Sequence, residues 1–348
     1  MFENKGRTEL SELGEFGLIN SIKESIDIKQ KSTLTGIGDD ATILDLTKST
    51  TLVSTDMLLE NVHFDLAYVP LKHLGFKSVA VNVSDICAMN AVPQQILVSI
   101  GISNRFSLEA VEELYQGINA ACKAYNVDLV GGDTSSSTSG LVISITVIGM
   151  QEQDKIVKRS GAKENDLLCV TGDLGGAYMG LQLLDREKRI FIEQPRMQPD
   201  LEGKDYIVGR QLKPEARIDV IKTLKELDIL PTSMIDVSDG VASELHHLKE
   251  SSKIGFVVYE DKLPIDPMTY QQGVDFGIDP TVAALNGGED YELLFTVKQN
   301  DFETIKHHKD ITIIGYCTQE SEGIHLISKG DTKHPITSQG WNAFKKKD

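Results

Sequence analysis

The sequence predicts an α/β protein of the α+β type, built as two units over residues 1–150 and 151–348. Three observations predict this. Short apolar runs of strand character alternate with amphipathic stretches along the whole chain. A polar stretch at 151–166, "QEQDKIVKRSGAKEND", interrupts that alternation and reads as a linker. A pattern of strand, Asp-containing turn and helix occurs on both sides of the linker. With 348 residues, the chain is long enough for two separate cores.

The elements follow in order. Residues 11–30 carry Leu13, Phe16, Leu18, Ile19, Ile22 and Ile26 at helical spacing. "TTLVSTDMLL" reads as a strand ending in a turn, and "LKHLGFKSVAVNVSDICAMNA" (71–91) as a helix rich in small residues. "PQQILVSIGI" is a strand. Residues 107–126 form the clearest amphipathic helix, with Ser107 as its N-cap. "VDLVGGDTS" and "LVISITVIGM" complete the first unit as strands. In the second, "DLLCVTGDLGG" leads into the helix "AYMGLQLLDREKR". Residues 189–213 have little periodicity and read as an inserted loop. A helix at 215–229 precedes "SMIDVSDGVASELHHLKE", read as strand, turn and helix. "GFVVYEDKL", "YELLFTV", "DITIIGY" and "GIHLISK" supply further strands.

Composition narrows the function classes. Hydrophobic residues make up 40% and charged residues 25%, as in ordinary globular proteins. No apolar run approaches the roughly 20 residues of a membrane helix. The polar N-terminal stretch lacks a signal-peptide core, so a cytoplasmic location is expected. The four cysteines are far apart and share no ligand spacing with histidine. Buried thiols are expected, not zinc or disulfides. A net charge of −17 argues against wrapping a nucleic-acid backbone. It leaves room for a phosphorylated substrate that arrives with divalent cations.

The candidate chemistry lies in the aspartates. Asp39, Asp56, Asp85, Asp133, Asp236 and Asp239 each sit beside Gly, Ser or Thr, at what read as strand-to-helix turns. Any one of them is equally well a solvated turn residue. Together, with Ser54 and Thr55, they form an oxygen-only donor set suited to Mg²⁺, Ca²⁺ or Mn²⁺. Mg²⁺ is rarely caged by protein alone; it takes one or two carboxylates plus substrate phosphates. Several ions bridging to a polyphosphate are therefore expected. Gly131 and Gly132 before Asp133 would let a phosphate approach the backbone. Neither GxxxxGK[ST] nor GxGxxG occurs.

The ordered pieces "GEFGLI", "GIGDDATIL", "STDMLLENVHF", "GFKSVAVNVSDICAMNAVP", "DLVGGDTSSS", "RSGAK", "TGDLGGAYMGLQLL", "IDVSDGVASELHHL" and "GGEDYELLFTV" run from residue 14 to about 297. In that order they resemble the thiamine-monophosphate kinase family, of the superfamily that includes aminoimidazole ribonucleotide synthetase. The resemblance implies that superfamily's two-domain fold. Its N-terminal mixed sheet pairs across a homodimer and carries ATP and Mg²⁺, and its C-terminal α/β domain completes the substrate site. It implies ATP-dependent phosphorylation of thiamine monophosphate to thiamine diphosphate. It places Asp39, Ser54, Thr55, Asp56, Asp85, Asp133, Asp236 and Asp239 at magnesium positions. Tyr115, Gly132, Asp133, Arg159 and Ser238 match nucleotide contacts. His63, Glu289 and Trp341 match contacts to the thiamine phosphate. Nothing carries over onto 189–213.

The implied reaction fits the residues. The acceptor is a phosphate oxygen whose second pKa lies near 6, so it is largely a dianion at neutral pH and needs no protein base. The aspartates are therefore assigned as metal ligands, with direct in-line transfer and no protein nucleophile. Two classes of rival stand beside this reading, the first being another enzyme of the same superfamily. A selenophosphate synthetase would want a reactive Cys and Lys near the N-terminus, and a hydrogenase-maturation dehydratase a C-terminal Cys. Here the first cysteine is Cys87 and the tail "FKKKD" holds none. A silent metal- or nucleotide-binding relative is the rival of a different class, separated by turnover with ATP.

Overall fold

The computed structural model describes residue 18 and residues 21–37, 42–47 and 49–337. These divide into two units, one up to residue 86 and over 91–154, the other over 87–90 and from 155 onward.

In the first unit, two short strands, β1 (Thr33–Thr35) and β2 (Ile43–Leu44), pair antiparallel. Then come β3 (Thr50–Leu59), helix α1 (Leu71–Ala88), β4 (Val92–Ile102), helix α2 (Leu108–Tyr125), β5 (Asp128–Ser136) and β6 (Val142–Gln151). The sheet order is β3-β6-β4-β5, mixed because only β4 and β5 run parallel. Alternate residues of β6 (Ile143, Ile145, Val147) are buried, as the period of two requires of a sheet covered on one face. On the other face Val53 and Met57 stand more than half exposed.

Helix α1 is apolar and small nearly all round, and is buried nearly all round. Its Gly75 and the Gly117 of α2 set the helix spacing. A Cβ on Gly75 would lie 2.0 Å from the Leu114 carbonyl oxygen, and one on Gly117 2.0 Å from that of Lys72. Helix α2 starts as its sequence dictates: the Ser107 hydroxyl accepts from the Ala110 N–H at 3.4 Å. Its Leu114 and Ile118 are fully buried, each worth about 1.5–3 kcal/mol. Buried Asp128, at the start of β5, accepts from the N–H groups of Lys29 (2.6 Å) and Gln30 (2.8 Å) and from Thr33 Oγ1 (2.7 Å). That one carboxylate ties residues 29–33 to the sheet.

The second unit contains β7 (Leu167–Thr171), α3 (Gly176–Glu193), α4 (Asp205–Leu212), α5 (Ile218–Glu226), β8 (Ser233–Asp236), α6 (Val241–Ser252) and β9 (Ile254–Tyr259). It continues with α7 (Pro267–Phe276), α8 (Pro280–Asn286), β10 (Leu293–Val297), β11 (Ile311–Gln319), β12 (Ile324–Ile327) and β13 (Lys333–Pro335). Seven strands lie in the order β13-β12-β9-β11-β7-β10-β8, antiparallel except for β9 with β12. One core packs Leu168, Val170, Ile235, Phe256, Leu294 and Ile314 against Leu245 and Leu248 of α6. A smaller one joins Met179 and Leu183 of α3, Ile207 of α4 and Ala283 of α8. All four cysteines are free and buried.

The 189–213 segment is not one loop. Helix α3 runs on to Glu193, and α4 occupies Asp205–Leu212. Eight residues are too few to display a 3.6-residue period, which is why the sequence pattern hid α4. Helices α7 and α8 also lie where no element was expected. Each opens on Asp-Pro, with the Asp266 and Asp279 carboxylates accepting at 2.8 Å from Met268 N and Thr281 N.

Candidate active site

The first unit gathers Ser54, Asp56, Asn82 and Asp85. On β3 the even-numbered residues face inward, so Ser54 and Asp56 share a face with buried Leu52 and Leu58. On α1, Asn82 and Asp85 are three apart and hence side by side. Ser54 Oγ donates to Asp85 Oδ2 at 2.5 Å, and the Asp56 N–H donates to Asn82 Oδ1 at 3.0 Å. Burial, and then the nearby Asp85 charge, push the Asp56 carboxyl up to about 6. Asp56 and Asp85 thus lie mid-strand and mid-helix, not at turns. Thr55 points to the opposite face, where its hydroxyl donates to the Ile145 carbonyl at 3.0 Å. His63 follows β3, and its Nδ1 accepts from the Leu59 N–H at 3.0 Å, which leaves the ring proton on Nε2.

Asp133 and Gly132 are not brought to this cluster. Both are exposed and lie within β5, again not at a turn. The register runs Asp56–Ile145–Val98–Gly132 across the sheet, three strand spacings, or about 14 Å. Gly132 has a packing reason of its own, since a Cβ there would meet the Val98 carbonyl oxygen at 1.8 Å. Tyr115 is buried on α2, its hydroxyl pKa raised by burial. It lines a hollow of about 180 Å³ with Leu18, Ser21 and Ile22.

The second unit builds a site where three strand ends meet. β10 runs antiparallel to both β7 and β8, with Leu294 opposite Val170 and Leu293 opposite Asp236. The segments 171–176, 236–240 and 287–292 therefore emerge at the same end of the sheet. Asp236 is buried at the end of β8, and Ser238 and Asp239 are half-buried in the turn before α6. The Glu289 N–H donates to the Ser238 carbonyl at 2.7 Å. Glu289 and Tyr291 hold φ of 59° and 51°, a left-handed backbone that non-glycine residues adopt sparingly and that clusters at functional sites.

Glu244 of α6 was not singled out in the sequence. It is 2% exposed, accepts from the Asp239 N–H at 3.1 Å, and takes a 3.5 Å contact from the Ser238 hydroxyl. Burial, reinforced by Asp236 and Asp239, pushes its carboxyl up to about 8. Asp239 is also raised, by burial first, with Glu289 adding to it and His247 opposing. Arg159 is exposed, and its charge is felt at both Glu244 and His247.

Beneath the loops lies a buried ionic network. Glu292, 2% exposed, pairs with Arg210 at 3.0 Å and Arg217 at 2.6 Å, and accepts from Thr171 Oγ1 at 2.5 Å. Asp290 accepts at 2.8 and 3.3 Å from the N–H groups of Gly175, the residue just before α3, and of Ala177 in its first turn. Neither carboxylate is legible as structural in the sequence, because "GGEDYEL" shows only a Gly-Gly turn entering a strand.

Among the described residues, no three His, Cys, Asp or Glu side chains form a ready-made metal cage. Each unit offers buried or half-buried carboxylates with hydroxyl neighbours, Asp56 and Asp85 beside Ser54 in the first and Asp236 and Asp239 about Ser238 in the second. Such oxygen-only donors fit Mg²⁺ completed by phosphate oxygens and do not fit zinc. Asp39 and Trp341 lie outside the described residues.

A family model described as AIR synthase related protein, N-terminal domain, matches residues 38–151. The thiamine-monophosphate kinase of Bacillus subtilis is 34% identical over 342 residues, covering 96% of this chain and 100% of that protein. This chain belongs to the thiamine-monophosphate kinase family. The solved structure described as AaThiL complexed with AMPPCP and TMP shares 32% identity at a TM-score of 0.73, covering 98% of this chain and 100% of that one. The crystal structure of the thiamine-monophosphate kinase from Stenotrophomonas maltophilia shares 28% identity at 0.77, covering 90% of this chain and 96% of that one. The two-domain α+β fold expected from the sequence motifs is the family's fold. No helix among the described residues is long and apolar enough to cross a membrane.

Proposed function

We propose that this chain transfers the γ-phosphoryl group of ATP to the phosphate of thiamine monophosphate, giving thiamine diphosphate and ADP. The observation that carries the reading is the match across the full length of a thiamine-monophosphate kinase. A similar structure that holds AMPPCP and TMP supports the two substrates.

The chemistry asks little covalent work of the protein. The acceptor phosphate is mostly a dianion at pH 7 because its second pKa is near 6. Its difficulty is approaching a second anion. Magnesium, when bound, supplies the charge neutralisation and alignment that in-line transfer needs. Several ions are proposed: Asp39, Ser54, Thr55, Asp56, Asp85 and Asp133 are assigned as ligands in the first unit, and Asp236 and Asp239 as ligands in the second, with Thr55 serving through its main-chain oxygen because its hydroxyl faces the other side of the sheet. Tyr115, Gly132, Asp133, Arg159 and Ser238 are assigned to the nucleotide. His63, Glu289 and Trp341 are assigned to thiamine monophosphate. Glu289 suits the thiazolium cation by charge, and an aromatic at Trp341 suits it by stacking. The first unit takes ATP and metal, and the second completes the substrate site.

The working form is proposed as a cytoplasmic homodimer joined through the open face of the first unit's sheet. Exposed Val53 and Met57 on that face support this reading. The test is thiamine diphosphate formation from purified protein, ATP, Mg²⁺ and thiamine monophosphate, with unphosphorylated thiamine as control. Product from the monophosphate alone is expected. No product while ATP still binds would overturn the assignment.

A further inference from the structure

We propose that Gln211, on helix α4, is a positioning residue that orients the Glu289 carboxylate toward the cationic part of thiamine monophosphate. The inference rests on the kinase reading above and extends it to a segment that no motif covered.

Helix α4 reaches the site through three neighbouring tethers. Tyr206 donates its hydroxyl to Asp173. Arg210 pairs with Glu292 at 3.0 Å and donates to the Asp173 and Asp290 carbonyls at 3.0 and 3.3 Å. Gln211, 5% exposed, donates from Nε2 to Glu289 Oε2 at 2.8 Å. The amide must present its nitrogen there, because the carboxylate only accepts.

Glu289 is consequently held at both ends. Its main chain, in the left-handed region, is fixed by the bond to the Ser238 carbonyl. Its carboxylate is fixed by Gln211. The choice of glutamine has a chemical consequence. A lysine or arginine at 211 would hold the carboxylate equally well but cancel its charge. A neutral amide holds it without adding a positive charge of its own. Arg210, one residue earlier, is spent on Glu292 and Asp290, so the two adjacent side chains divide structural and site duties.

The test compares wild type, Gln211→Ala, Glu289→Gln and the double variant in the full chain. Steady-state kinetics are read against each substrate, with calorimetric binding of thiamine monophosphate alongside. Losing one hydrogen bond to a charged group is expected to raise KM and Kd for thiamine monophosphate about tenfold, with KM for ATP unchanged. In the Glu289→Gln background the same alanine is expected to add less than about twofold, since the carboxylate it positions is gone. An unchanged KM for thiamine monophosphate, a parallel rise for ATP, or an equal effect in both backgrounds would overturn the proposal while leaving the kinase reading intact. A wild-type protein that neither binds nor converts thiamine monophosphate would overturn both.

Discussion

Replacing Glu292 by Gln tests the ionic network beneath the second unit's loops. The side chain is 2% exposed and faces two guanidinium groups that are themselves only 15% and 13% exposed. Removing one partner of a buried ion pair costs about 3–5 kcal/mol, because the remaining charge is left desolvated. Here each arginine keeps a second carboxylate, Asp219 at 3.0 Å for Arg217 and Asp290 at 3.7 Å for Arg210. The expected loss is therefore at the lower end, about 3 kcal/mol. With a urea slope of about 2 kcal/mol/M, the midpoint falls by about 1.5 M. Urea melts followed by far-UV circular dichroism measure it. Glu303→Gln is the control, since that carboxylate pairs with Lys306 at 2.6 Å but is 76% exposed, and no resolvable shift is expected. A Glu292→Gln midpoint no lower than the control's would refute the claim that the network is desolvated.

Three further outcomes are expected. Asp85→Asn keeps the urea midpoint of wild type but lowers kcat by about a hundredfold or more, read as ADP release; turnover like wild type would remove Asp85 from the metal ligands. Glu244 has a folded pKa of about 8 against 4.5 unfolded, so its contribution to stability is full below pH 4.5 and is lost as pH rises through 8. Glu244→Gln should flatten that decline in metal-free thermal melts at stepped pH, and an unchanged slope would assign it elsewhere. Gly117→Ala places a Cβ 2.0 Å from the Lys72 carbonyl oxygen, forcing α1 and α2 apart at a cost of about 2–3 kcal/mol. A urea midpoint equal to wild type would show that the helices separate freely.

Long, periodic elements were readable from sequence. Helix α2 shows its apolar stripe and its Ser107 cap, and β4 and β6 are apolar runs of strand length. Short helices were not, because α4 and α8 span only about two turns and carry no countable period. The Asp-Pro starts of α7 and α8 were a readable signal, since proline at the first helical position after an aspartate is a start pattern. At the site, the aspartates could be singled out by type, but among the described ones only Asp239 lies in a turn, with Asp236 at the strand end just before it. Alternation of inward and outward residues absorbs Asp56 within a strand, and the i, i+3 spacing of Asn82 and Asp85 is what turns Asp85 toward it. Glu244, Gln211 and Glu292 depend on pairings across 5 to 121 residues. Local patterns hold no trace of the longer of these.

The three tethers of α4 bear on how chain length is tolerated in this region. Residues 195–200 are exposed and belong to no helix or strand, so residues added there extend a surface excursion. One residue added inside Asp205–Leu212 rotates everything beyond it by about 100°, turning Arg210 and Gln211 away from Glu292 and Glu289. Two stretches a few residues apart thus differ sharply in plasticity. The first is a natural place to graft a tag or reporter, and the second admits substitution but not insertion.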